Sequence, residues 1–200
     1  MNLIINPNEL DKNSLYKLLT GTVLPRPIAL VLTKGKEGII NIAPFSYFNL
    51  VSIKPVPRIA FTVQHLENGL KDTTRNIMES KEFVVHVVTE DILEDTNETA
   101  ANLPPLESEL KRTSFKLVDN DLLAIPRIAQ AKVAFECTLD QIVTFESADM
   151  IIGRIERIHI LDSIYEEGRI DIEKLSPIGR LAGNDYTTLG KTIKLRRPTV

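Results

Sequence analysis

Between residues 27 and 161, apolar β-branched segments recur at strand length and no longer, each ended by proline, glycine or a polar turn. Such segments cannot bury their surface alone, so the chain must pair them into a sheet. Residues 28–32 form a continuous apolar run, and residues 34–38, with Gly35 and Gly38, read as a hairpin turn into a partner strand at 39–43. Residues 58–63 give a further strand, and 83–88 are β-branched and central. Two long strands follow at 131–145 and 150–161, joined by residues 146–149, and the second alternates apolar and polar as a half-buried barrel strand does. Residues 192–196 suit a last strand.

Helices are few. Residues 8–19 place Leu10, Leu15, Leu18 and Leu19 on one side of a helix that Gly21 ends. Asp72 reads as the N-cap of a helix over 73–80, its carboxylate accepting the free amides of the first turn. The polar, acidic stretch 89–123, which contains Pro104 and Pro105, reads as an excursion from the sheet, with a helix near 92–101. The fold class expected is mainly β with helical excursions, a barrel in one domain over residues 1–200. That length suits one well-buried core and falls short of two.

Composition narrows the chemistry. Lys and Arg number 24 and Asp and Glu 27, a net charge of −3, so nothing pulls the chain as a whole toward nucleic acid or an anionic membrane. The N-terminal residues lack a basic, then apolar, leader, and no window reaches the roughly 18 apolar residues of a membrane span. With a single Cys, these features make the cytoplasm the expected location. One Cys, three separated His and no Trp leave no disulfide framework and no metal-ligand spacing, so no metal is expected. Cys137 sits in a strand pattern and reads as buried and inert. No P-loop, nucleophile elbow or Gly-x-Gly-x-x-Gly occurs. Few side chains therefore look able to carry chemistry alone.

Three segments carry chemistry. Residues 41–52 mix Asn41, Ser46, Asn49 and Ser52 with aromatic rings, and Pro44 there should break the ladder and free backbone groups. A planar heteroaromatic ligand uses that mixture, and a surface hairpin would show it as well. Lys71, Asp72, Thr73 and Thr74 at a helix start combine free amides, a cation and hydroxyls, an arrangement suited to a phosphate or to an ordinary capped helix. Residues 177–186 set Arg180 between Gly179 and Gly183 ahead of Tyr186, allowing close backbone approach and a charge-assisted hydrogen bond, or forming a surface turn.

In this order, the run from Arg26 through Thr33, the segment from Asn41 through Asn49 with Ser52, Lys71-Asp72-Thr73 with Asn76, and the run from Arg180 to Tyr186 resemble the flavin reductase-like, FMN-binding split-barrel family. The resemblance implies a split, Greek-key β-barrel homodimer with one FMN per subunit near the dimer interface. It implies that Asn41, Ala43, Pro44, Phe45 and Ser46 line the isoalloxazine, with Asn49 and Ser52 toward the ribityl-phosphate side. Lys71 and Thr73 would hold the phosphate, with Asp72 capping the helix behind them. Arg26, Thr33, Arg180 and Tyr186 are further implied contacts. The implied activity is an oxidoreductase in which NADH or NADPH reduces the flavin and a flavin, an oxygenase partner or another acceptor takes the electrons. A non-catalytic FMN carrier or sensor is the alternative.

Overall fold

The structure is a computed structural model and describes residues 2–104 and 107–198, so Pro105 of the expected excursion lies outside the described residues. Seven strands build the main sheet: β1 (Ala29–Lys34), β2 (Ile40–Phe45), β3 (Phe48–Ser52), β4 (Arg58–Gln64), β5 (Glu82–Val87), β6 (Val133–Thr144) and β7 (Ala148–Ile160). Their order across the sheet is β2-β1-β5-β6-β7-β4-β3, and every neighbouring pair is antiparallel. The two edge strands, β2 and β3, are consecutive in the chain and joined only by Ser46 and Tyr47. The sheet therefore curls until its edges meet at one bend without a ladder between them. The expected mainly β split barrel is what the chain forms.

Strand β1 explains why residues 28–32 read as continuous. Leu30 and Leu32 point into one core with Ile42, Val84, Phe115 and Ile128, while Ala29 and Val31 point into another with Phe61, Phe83, Val85 and Ile151. A strand buried on both faces has no polar side to alternate with. In the second core Phe61 lies between Phe45 and Phe83, with ring centroids 5.3 and 5.6 Å away. Gly153 of β7 faces Phe83 so closely that a Cβ there would stand 2.3 Å from the ring tip. Cys137 is buried in the same core, which raises its thiol pKa well above the ordinary value.

Four sequence expectations are corrected. Helix α1 spans Lys12–Thr22 rather than starting at residue 8, because the Asp11 carboxylate caps it through Asn13 N and Ser14 N at 2.9 and 3.1 Å. Residues Pro7–Glu9 form a separate 3-10 turn, and α1 runs through Gly21. Pro44 does not break β2, since β2 is an edge strand and a missing N–H on its outer side costs no ladder bond. The expected helix near 92–101 is a 3-10 turn at Glu90–Ile92 followed by α3 (Leu93–Glu98). Residues 192–196 form no strand; Ile193 and Leu195 are exposed, and the last strand is Tyr186–Thr188, paired with Ile178–Arg180.

Candidate functional site

One recess of about 480 Å³ opens beside the edge strand β2. Asn41, Ala43 and Pro44 of β2 form one wall, and Lys71, Asp72 and Thr73 form another at the start of α2 (Asp72–Ser80). Leu66, Glu67 and Asn68, just after β4, close a third side, and residues 99–103, following α3, close a fourth together with Glu109.

The α2 end of the recess is rich in donors. Lys71, not Asp72, occupies the N-cap position, with extended backbone and no side-chain cap, so the first-turn amides lack the usual carboxylate or hydroxyl partner. Asp72 is instead the first helical residue, and its carboxylate pairs with Arg75. Its expected capping role is thereby corrected: the carboxylate turns along the helix rather than back over its end. Among the described residues the Lys71 ammonium makes no ion pair and no hydrogen bond. Thr73 is buried, and its hydroxyl accepts from Asn41 Nδ2 at 3.0 Å, locking the helix start to β2. Thr74, one residue on, keeps a buried hydroxyl without a partner among the described residues. Unpaired cation, uncapped amides and the Thr73 hydroxyl together form a donor set that fits a phosphate. Ala43 and Pro44 offer a small apolar wall next to it, so the residues present fit a phosphorylated, ring-bearing ligand such as FMN.

Glu109 was not legible as a site residue. It stands in a 3-10 turn, Glu109–Arg112, within the excursion, is only 7% exposed, and its Oε2 accepts the Ile42 amide at 2.9 Å. Burial pushes its carboxyl above the ordinary carboxylate value, and the Ile42 bond only partly opposes that. No cation pairs with it among the described residues. Its sequence neighbourhood is polar and charged, which reads as solvated surface, and the partner amide is 67 residues away.

Of the fourteen residues expected at the site, the structure brings six to this recess: Asn41, Ala43, Pro44, Lys71, Asp72 and Thr73. The other eight lie elsewhere in this single chain. The Arg26 guanidinium is buried and donates to the carbonyls of Thr20, Val23 and Leu181 at 2.7–2.8 Å, and to Ser46 Oγ at 3.4 Å. Thr33 is buried and accepts from Asn76 Nδ2 at 3.0 Å. Phe45 is a core ring. Asn49 is exposed on β3, with its Oδ1 accepting its neighbour's amide, and Ser52 donates to Val56 O at 2.7 Å. Arg180 stacks on Tyr186, 4.4 Å from the ring centre, and Tyr186 donates its hydroxyl to Asn97 Oδ1 of α3 at 3.1 Å. That brace steadies the helix leading into the 99–103 wall.

The histidines serve other ends. Nδ1 of His86 lies 3.0 Å from Leu30 O and its Nε2 accepts the Ile128 amide at 2.9 Å. His65 and His159 face the buried carboxylates of Asp149 and Glu136 at 2.9 and 2.6 Å. Among the described residues, no group of three or more His, Cys, Asp or Glu side chains is placed to hold a metal, and no helix is long and apolar enough to cross a membrane.

A family model described as the flavin reductase like domain matches residues 20–174. The uncharacterized protein YwrF of Bacillus subtilis is 46% identical over 98% of this chain and 99% of its own length. Among solved structures, nitrilotriacetate monooxygenase component B from Bacillus cereus is 43% identical with a TM-score of 0.94, covering 98% of this chain and 99% of that one. The Pseudomonas fluorescens 2-nitrobenzoate 2-nitroreductase NbaA is 32% identical with a TM-score of 0.89, covering 98% and 97%.

Proposed function

This chain belongs to the flavin reductase-like domain family, and from that premise we propose that its recess binds FMN. We propose further that the protein is an NAD(P)H-dependent oxidoreductase of the cytoplasm. The observation that carries the reading is the meeting of an unpaired Lys71, the uncapped start of α2 and the Thr73 hydroxyl at one end of a recess walled by Ala43 and Pro44. The names of the two similar solved structures, a monooxygenase component and a nitroreductase, support redox chemistry in this branch of the family.

Bound FMN would supply the hydride and electron transfer, with NADH or NADPH as donor and a flavin, an oxygenase partner or another acceptor as the destination. The chain's own residues bind and orient. Lys71, Thr73 and the α2 amides hold the phosphate, while Asn41, Ala43 and Pro44 face the ring and keep water from one side. Asn41 also fixes Thr73 through their hydrogen bond, so ring wall and phosphate end move as one piece. Leu50, Val51 and Ile53 on and beside edge strand β3 are exposed, which supports a homodimer through that side. In such a dimer Asn49 and Ser52 would lie near the interface.

The purified protein should carry or acquire the visible band of oxidised flavin, and that band should bleach anaerobically with NADH or NADPH. Binding of FMN without bleaching by either nucleotide would identify a carrier or sensor instead. Replacing Lys71 with Ala removes a charge-assisted contact worth about 1.5–3 kcal/mol, so FMN should bind ~10–100-fold more weakly. Riboflavin, lacking the phosphate, should bind unchanged; equal losses for both would place the phosphate elsewhere. Light scattering of the eluted protein tests the dimer.

A further inference from the structure

We propose that Glu109 is the proton-accepting residue of the recess, and that a phosphate-bearing ligand binds there together with a proton taken up at its carboxyl. The inference rests on the FMN reading above and adds a chemical consequence to it. Glu109 lines the same recess as Lys71 and Thr73, is nearly excluded from solvent, and among the described residues has one hydrogen-bond partner, the Ile42 amide. Ile42 follows Asn41, the residue bonded to Thr73, so the carboxyl stands one step along β2 from the phosphate end.

Charge on the recess wall decides the direction. Lys71 is the one cation among its described lining residues, against Glu67, Asp72 and Glu109. Asp72 is already matched by Arg75. Strand β2 brings no charged side chain against Glu109. On α3, Glu98 is matched by Arg112, and Asp95 is held by Ser114. Lys111 lies in the same 3-10 turn as Glu109 but forms no ion pair with it among the described residues. A phosphomonoester near pH 7 brings close to two negative charges, more than Lys71 can offset. Glu67 also has no ion pair among the described residues, but it is exposed, so water screens it; the added field favours the neutral form of the buried Glu109 carboxyl. Burial already moves Glu109 in that direction. Binding should therefore draw a proton onto Glu109 and should weaken as pH rises. The steepest dependence for one coupled proton is ~10-fold in Kd per pH unit.

Titration calorimetry of FMN in buffers of different ionisation enthalpy, between pH 6 and 8, measures the protons taken up per site. Wild type should take up more protons than Glu109→Gln, and its Kd for FMN should rise with pH while that of the variant stays flatter. The phosphate's own second ionisation, near pH 6, is common to both proteins and cancels in the difference. Riboflavin on the wild type should take up no proton, and at pH 8, where the phosphate is already almost fully ionised, this comparison decides the matter even if Glu109→Gln fails to fold. Equal uptake by wild type and variant, or equal uptake with FMN and riboflavin, overturns the proposal. Wild type that binds no FMN overturns the reading beneath it and the proposal with it.

Discussion

Acidification from pH 7 to pH 4 should cost the fold about 3 kcal/mol through His86 alone. The imidazole is fully buried on β5, with both ring nitrogens in use. Because the Ile128 amide donates to Nε2, that nitrogen must carry a lone pair, and the single proton sits on Nδ1 facing Leu30 O. A second proton would set two donors against each other at a fully buried site. Burial, the largest cause, accordingly lowers the pKa from 6.5 to about 4. Unfolded chain takes up the proton below pH 6.5 while the native state refuses it until about pH 4. Stability is thus full above pH 6.5 and falls by about 1.4 kcal/mol per pH unit between those values. Urea unfolding of wild type and His86→Gln from pH 4 to 8 isolates the effect. Glutamine can donate to Leu30 O and accept from Ile128 N without titrating. The difference between the two proteins cancels Glu109, which contributes in the opposite sense because its carboxyl is raised. The stability gap in favour of wild type should shrink as pH falls through this window. Parallel profiles would refute the reasoning. So would a His86 ring proton seen by NMR to titrate near 6.5 in the native protein.

Other substitutions probe the fold around the recess. Gly153→Ala forces a Cβ into the tip of Phe83, so it should lower the urea midpoint by about 1–3 kcal/mol equivalent, and adding Phe83→Leu should recover part of the loss. Arg26→Ala leaves three carbonyls and Ser46 without their donor and should cost at least about 2 kcal/mol by thermal or chemical unfolding. Arg26→Lys should not restore it, since an ammonium cannot span the fork of acceptors. The Cys137 thiol should resist alkylation under native conditions and react only at the rate of global opening; fast labelling would contradict its burial.

The sheet was legible in the sequence where burial leaves a local trace. Residues 28–32 read as a strand because both faces of β1 are covered, and the two long strands read from their alternation. The helix-start wall of the recess was legible too, because Lys71 and Thr73 adjoin a helix start that propensity alone locates. What failed was the role of neighbours in that start: an aspartate is the better N-cap by preference, yet Lys71 holds the position and Asp72 serves Arg75. The remaining walls were out of reach. Residues 66–68, 99–103 and Glu109 meet β2 only through the fold, and nothing local marks them. Arg26, which the resemblance implied as a ligand contact, directs its donors to three carbonyls and Ser46, one carbonyl 155 residues away, an arrangement nothing local marks.

The bend at Ser46 and Tyr47 leaves β2 as a sheet border that other chains could in principle extend. Along that border Pro44 has no N–H, and the Ile42 N–H is already taken by Glu109. A foreign strand laid against β2 would find carbonyls and few donors, a poor template for the cross-chain pairing that starts aggregation. The residues that shape the recess thus also guard the molecule's open margin. Variants at Pro44 or Glu109 should be judged by their tendency to precipitate as well as by what they bind.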